Sequence, residues 1–285
     1  MKIFNESELK KLCKPAQKIS GEDNGQITII GGSKLFHGAP LLSLKVASRI
    51  VDMVFFATPE PSVGKVAEQF KSKLFSFIWV PWDEVDSYIQ KSDSVLIGPG
   101  FMRYKSEVKN SKLKIKNYVD EEGEKTKEIT KHFLIKYPNK KWVIDAGSLQ
   151  VIDPELLPKG CVVTPNNKEF EMLFKVKSQR SIVKSMAEKY NCIINSKGPQ
   201  NIVCSPTECV EIKGGNAGLT KGGVGDVLAG LSVALLAKNE PFLAAASASF
   251  IAKAAADELY KKVGTNYNAD DLASQIPETL HKLQS

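Results

Sequence analysis

The sequence predicts an α/β fold in which helices cover both faces of a central, mainly parallel sheet. Three observations carry this. Short apolar runs recur along the chain without the polar alternation of a half-solvated strand, as expected where both faces are buried. Helical stretches separate them, the order that builds parallel sheets. Several runs end in Gly, Pro, Asp or Asn, residues that turn a chain out of a strand.

Taken in order, Ile27-Thr28-Ile29-Ile30 is the first strand and runs into Gly31-Gly32-Ser33. Pro40 to Val51 carries Leu41, Leu44, Ala47 and Ile50 at helical spacing. Met53 to Ala57 is a second strand, and Ser94 to Ile97 a third that ends at Gly98-Pro99-Gly100. Trp142-Val143-Ile144 runs into Asp145-Ala146-Gly147, and Cys161 to Thr164 into Pro165. Cys192-Ile193-Ile194 leads to Lys197-Gly198, and Ile202-Val203-Cys204 follows. Asp226 to Ala237 and Phe242 to Leu259 read as two packed apolar helices. Ser106 to Lys136 is rich in lysine and glutamate, with Ile129, Phe133 and Leu134 toward its end, and reads as a surface loop and helix. No repeat or linker interrupts the pattern. Residues 1–285 therefore read as one domain with a core at about 27–260 and a charged surface segment at about 104–140.

Composition narrows the partners. The 285 residues are 42% hydrophobic and 25% charged, ordinary for a globular protein. A net charge of +7, from 39 basic and 32 acidic side chains, favours anions such as phosphates but is too modest for a nucleic-acid binder. Cys13, Cys161, Cys192, Cys204 and Cys209 form no CxxC pair, and His37, His132 and His281 do not cluster with them. Neither a zinc site nor a disulfide framework is expected, and no metal ligands are assigned. The N-terminus has no apolar signal core and no stretch approaches membrane-span length, so the expected location is cytoplasmic, with no membrane partner.

The strongest chemical feature is the run from Gly214 to Asp226, which holds six glycines in twelve residues before it enters an apolar helix. Glycines let the backbone approach an anion, and the first amides of a helix, reinforced by its dipole, attract phosphate. Asp226 would stand beside those amides, positioned to take a proton from a hydroxyl being phosphorylated or expelled. The plainer alternative is that Asp226 only caps the helix. No GxxxxGK[ST] loop is present, and Gly98-Pro99-Gly100 lacks the third glycine of GxGxxG. The other strand ends have plain readings too. Gly98-Pro99-Gly100 could be a turn, Thr164-Pro165-Asn166 with Glu169 a helix start, Lys197-Gly198 a hairpin turn and Asp145 a cap. Together they mark one crevice at the carboxyl ends of the strands.

This ordered set resembles the NAD(P)H-hydrate dehydratases, a family of the ribokinase-like superfamily. The resemblance runs through Gly31-Gly32-Ser33, Gly38-Ala39-Pro40, Ile97 to Gly100, Ile144-Asp145-Ala146, Thr164-Pro165-Asn166 with Glu169-Phe170, Ser196-Lys197-Gly198, and Gly215-Asn216 through Gly230. It implies removal of water from hydrated NADH or NADPH (NADHX, NADPHX) at the expense of ADP or ATP, with Mg2+ accompanying the nucleotide. It implies Asp226 as the catalytic base and Ala39, Gly100, Asn166 and Asp226 around the hydrate. Lys197, Gly198, Pro199, Gln200 and Asn201 would surround the adenine nucleotide, joined by Asn216, Gly222, Gly223 and Gly225 of the glycine loop. A homo-oligomer is also implied. Many members have histidine at the position of Asn166 and a small residue at that of Lys221. About 26 residues precede the first strand, so a stand-alone dehydratase with a separate epimerase partner is expected. A ribokinase-like vitamin-precursor kinase, such as a hydroxyethylthiazole kinase, would use the same loop and aspartate, but fits Gly38-Ala39-Pro40 and Thr164-Pro165-Asn166 less well. A non-catalytic nucleotide sensor has no need of a carboxylate beside phosphate.

Overall fold

Buried apolar strands need partners for every backbone amide, and here they find them in one sheet. A computed structural model describes residues 2–15, 23–70, 74, 76–104 and 120–285. Among these the strands are β1 (Lys2–Ile3), β2 (Gln26–Ile30), β3 (Met53–Ala57), β4 (Ile78–Val80), β5 (Ser94–Ile97), β6 (Lys141–Ile144), β7 (Val162–Val163), β8 (Ile193–Ser196), β9 (Asn201–Cys204) and β10 (Cys209–Ile212). They form a single sheet in the order β1-β10-β9-β8-β7-β6-β5-β2-β3-β4. Every pairing is parallel except β8 with β9 and β9 with β10.

The helices are α1 (Gly38–Ala47), α2 (Pro61–Phe70), α3 (Val85–Lys91), α4 (Glu121–Lys136), α5 (Ala146–Leu149), α6 (Asn167–Phe174), α7 (Arg180–Tyr190), α8 (Val224–Lys238), α9 (Pro241–Val263) and α10 (Ala269–Gln284). Alternate strand residues feed two cores. Ile27, Ile29, Phe56, Leu96, Val143 and Ile193 pack with Leu44 of α1, Val227 of α8 and Ile251 of α9. Ile30, Phe55, Val95, Ile97, Trp142 and Ile194 pack with Phe133 of α4, Phe170 of α6 and Val183 of α7. Both faces are therefore covered, which is why these strands show no polar alternation. Beyond the stretch from 27 to 260, β1 pairs with β10 and α10 packs on α9.

The structure adjusts several expectations. The helix read over Pro40–Val51 runs from Gly38 to Ala47. Arg49 and Ile50 donate to carbonyls three residues back, which tightens the chain out of α-geometry after Ala47. Of the charged segment, Glu121–Lys136 forms α4, with Asp120 as N-cap, and residues 105–119 lie outside the described set. The expectation of no disulfide needs correction at one place. The β9–β10 hairpin sets Cys204 directly opposite Cys209, with Cα atoms 4.2 Å apart, and the two are joined. Among the described residues no helix is long and apolar enough to cross a membrane, and no cluster of three or more His, Cys, Asp or Glu side chains is arranged to hold a metal.

The sheet reverses its winding between β2 and β5. From β2 the chain runs outward to β3 and β4, then returns to lay β5 on the other side of β2. In open parallel sheets such a switch point opens a crevice at the carboxyl ends of the strands. Gly98 closes the end of β5 at φ +118°, and a Cβ there would sit 1.9 Å from the Asp145 carbonyl oxygen. Gly98→Ala is therefore expected to cost more than about 3 kcal/mol of stability, read as a lowered urea midpoint.

Candidate active site

Five strand ends and three helix starts meet on the carboxyl side of the sheet. After β2 the Gly32 amide donates to the Pro99 carbonyl at 2.8 Å, tying the β2 exit to the β5 exit. A Cβ on Gly100 would meet the Phe36 carbonyl and Pro40 Cδ, so the β5 exit lies against the first turn of α1, which carries Ala39. A small cavity here is lined by Gly32, Ser33, Pro59, Glu60, Phe101 and Met102, with Glu122 and Thr126 of α4 beyond. One turn into α1, Ser43 Oγ donates to the backbone carbonyl of Asp226 at 2.7 Å, and Gly230 lets α8 rest on the Ser43 backbone. Ala39, Gly100 and Asp226 are thereby brought to one place.

Asp226 is not the cap of its helix. Gly223, at φ +88° and without a side chain, is the N-cap of α8, and Asp226 is the third helical residue. A capping side chain would occupy the leading amides; a glycine leaves them for an anion. Gly223 also has no room for more, since a Cβ would sit 2.5 Å from Leu42 Cδ1.

Beside Asp226 lies a charged cluster. Asp145, at the end of β6 and 1% exposed, accepts from Thr164 Oγ1 at 2.7 Å and from Lys197 Nζ at 2.9 Å. Lys197 Nζ also lies 3.6 Å from Glu169 Oε2. Glu169 caps a helix as well. Its Oε2 accepts from the Asn166 amide at 2.8 Å while Asn166 Oδ1 accepts from the Lys168 and Glu169 amides. That capping box starts α6 and fixes Glu169 toward Lys197. The Lys197 amide donates to the Pro165 carbonyl, and its ammonium would lie 3.2 Å from a Cβ on Gly225. Asn166 Oδ1 is thus engaged in the cap, and its Nδ2 is the group not used there.

The electrostatics follow from this crowding. Burial works against the Lys197 ammonium, but Asp145 and Glu169 more than offset it and hold its pKa above the usual lysine value. Burial raises the pKa of Glu169 despite the lysine. Burial, then the negative charge of Asp145, pushes Asp226 up to about 7 against the pull of Lys197. A carboxylate poised near neutrality is suited to taking up a proton.

The positions read as a nucleotide set fall on two loops. Lys197, Gly198, Pro199 and Gln200 form the turn between β8 and β9, and Asn201 begins β9. Gly198, Pro199, Gln200 and Gly222 are exposed. Gln200 Oε1 accepts from Arg180 at 2.8 Å, which in turn pairs with Glu211. Asn216 is tied inward: its Nδ2 donates to Ala256 O and Asp257 Oδ1, and its Oδ1 accepts from Gly218 N and Tyr267 Oη. It braces the glycine loop. Lys221 turns aside, donating to the carbonyls of Thr265 and Tyr267. Sequence reasoning places Asp145 and Thr164 in strand-end motifs but gives neither a part in a charged cluster beside Asp226. The signal for both is their place at strand ends.

Known proteins similar in sequence or fold agree with one another. A family described as NAD(P)H-hydrate dehydratase matches residues 27–278. The bifunctional NAD(P)H-hydrate repair enzyme Nnr of Methanocaldococcus jannaschii is 35% identical over 99% of this chain and 53% of its own. The chain thus spans about half the length of that relative. The ADP-dependent (S)-NAD(P)H-hydrate dehydratase of Cenarchaeum symbiosum is 26% identical over 98% of this chain and 96% of its own. Among solved structures, the ADP/ATP-dependent NAD(P)H-hydrate dehydratase of Bacillus subtilis, co-crystallised with ATP and Mg2+, superposes with a TM-score of 0.79 at 20% identity, covering 99% of this chain and 98% of that one. The architecture is ribokinase-like. With its motifs, its sheet and this match across most of its length, the chain belongs to the NAD(P)H-hydrate dehydratase family.

Proposed function

We propose that this chain restores NADH and NADPH from NADHX and NADPHX, consuming ADP or ATP and releasing AMP or ADP with phosphate. The observation that carries the reading is Asp226: a carboxyl in the first turn of α8, whose N-cap glycine brings no side chain, with its pKa near neutrality, beside the Lys197 ammonium. The hydroxyl on the hydrated ring gives its proton to the Asp226 carboxylate as its oxygen attacks the terminal phosphoryl group. The bond between that group and the nucleotide breaks. The ring C–O bond then breaks as the ring nitrogen supplies electrons, phosphate leaves, and loss of a ring proton completes the dihydronicotinamide. Ala39, Gly100 and Asn166 surround the hydrate. The amides of Gly223 and Gly225 and the Lys197 ammonium stabilise charge on the transferred phosphoryl group. The turn from Lys197 to Asn201, with Asn216 and Gly222 of the glycine loop, holds the adenine nucleotide.

Mg2+ belongs with the nucleotide phosphates and needs only one or two protein carboxylates. Asp145 and Glu169, converging on one cation already, have the donor chemistry to share it. When bound it would neutralise phosphate charge. ADP is the favoured co-substrate, in line with the name of the C. symbiosum relative. A cytoplasmic location, a homo-oligomer and an accompanying epimerase activity complete the proposal; the bifunctional name of the M. jannaschii relative supports the last.

Purified protein offered hydrated NADH with ADP, and separately with ATP, is expected to regenerate dihydronicotinamide absorbance, faster with ADP. No recovery with either, together with stable phosphorylation of a small alcohol, would sink the reading in favour of a kinase.

A further inference from the structure

The buried face of α9 is rich in alanine packed against the sheet and α8, but one stripe of the helix is polar. Ser249, Lys253 and Asp257 are spaced four apart and therefore share a face of the helix. Each is bonded to a loop of the nucleotide end. Ser249 Oγ accepts from Asn201 Nδ2 at 3.1 Å and donates to Asn195 Oδ1 at 2.9 Å, while Asn201 Oδ1 accepts from the Gly198 amide at 3.1 Å. Asp257 Oδ2 accepts from the Gly215 amide at 2.9 Å, and its Oδ1 from Asn216 Nδ2 at 3.0 Å.

Lys253 stands between them and bonds both loops. Its Nζ donates to the Pro199 carbonyl at 2.9 Å and to the Gly214 carbonyl at 3.0 Å. The residue is only 4% exposed, a costly place for an ammonium. Burial lowers its pKa, with the charges of Asp257 and Glu211 pulling the other way. Room for its stem comes from Gly215, where a Cβ would come within 3.0 Å of Lys253 Cγ. Packing alone would be served by an apolar side chain here. Two carbonyl oxygens from separate loops, however, converge on one point, and their dipoles repel unless a cation lies between them. Remove it and the loops are expected to move apart.

We propose that Lys253 is a positioning residue that fixes the spacing between the 197–201 turn and the 214–216 loop, and so sets affinity for the adenine nucleotide without touching the hydrate. The inference rests on the reading above that these two loops hold the nucleotide.

Lys253→Met keeps the length of the stem and removes the charge. ADP titration by calorimetry and steady-state kinetics would be run on the wild type, Lys253→Met and Lys253→Arg. The Met variant is expected to weaken ADP binding and raise the nucleotide KM by about ten- to a hundredfold, the worth of two charge-assisted hydrogen bonds. The hydrate KM, and kcat at saturating nucleotide, should stay within about twofold, and arginine should recover part of the loss. A folded Met variant with unchanged ADP affinity overturns the proposal, as does a fall in kcat at unchanged nucleotide KM, the mark of a merely structural lysine. If Lys253→Met does not fold, Asp257→Asn, which loosens only the glycine-loop side, must still raise the nucleotide KM; no rise overturns the proposal. Failure of the wild type itself to bind ADP would overturn the functional reading and, with it, this one.

Discussion

Asp226→Asn is expected to lower kcat by about 10³- to 10⁴-fold while ADP stays bound with near wild-type affinity, because the amide keeps the shape of the carboxylate but cannot take a proton. Calorimetry and single-turnover kinetics on the same preparation separate the two effects. In the wild type, kcat/KM should fall as pH drops below about 7, where burial and Asp145 have placed the Asp226 carboxyl, and should level off above it. Retention of turnover in the Asn variant would remove Asp226 from the chemistry.

The same variant should be more stable than the wild type at alkaline pH. The folded-state pKa of Asp226 lies above its ordinary value of 3.8. The folded state therefore binds the proton more tightly than the unfolded chain, and that contribution to stability is lost as pH rises from about 4 through about 7. Asparagine carries no such loss. Because the carboxyl retains some solvent contact, the gain is expected to be on the order of 1–2 kcal/mol at pH 8, and to vanish toward pH 4. Thermal melts of the two proteins at both pH values test this. A site that destabilises its own protein until substrate arrives is a familiar cost of function.

What the sequence shows and what it hides divide along a physical line. Strands buried on both faces advertise themselves as unbroken apolar runs, so Ile27–Ile30 and Ser94–Ile97 are legible, as are the glycines where they exit. The helices α7 and α10 are not. Each buries only a narrow stripe, such as Val183 and Ala187 of α7, while polar side chains cover the rest. Cys204 and Cys209 become a pair only through hairpin register. The Gly222–Asp226 turn points to phosphate on its glycines alone, yet the role of Asp226 as third residue, not cap, needs the helix boundary. Asp145 and Lys197 are 52 residues apart, and only the adjacency of β6, β7 and β8 makes them neighbours. Lys253 is hidden for another reason. Hydropathy records how apolar a helix is, not which carbonyls its one buried lysine will meet.

Lys197→Met is the second substitution with a large expected effect, and it separates two roles of one ammonium by opposite pH dependences. Lys197 holds the pKa of Asp226 down against burial and Asp145. Without it Asp226 should stay protonated to higher pH, so the acid limb of kcat/KM should move in the alkaline direction. Lost contact with the transferred phosphoryl group should add a fall in kcat of about 10²-fold or more at the new plateau. Stability should move the other way. Asp145 and Glu169 lose their common partner while remaining 1% and 7% exposed, and breaking such a buried pair costs about 3 kcal/mol near neutral pH. With Lys197 gone, the pKa of Glu169, already raised by burial and no longer held down by the lysine, is expected to rise further, so its neutral carboxyl favours folding and the variant should regain stability as pH falls. Activity improving with alkali and stability improving with acid, measured by pH–rate profiles and melts on one protein, would place Lys197 in both the catalytic charge balance and the support of α6. An unmoved acid limb would mean that Lys197 supports the site but does not set the charge on Asp226.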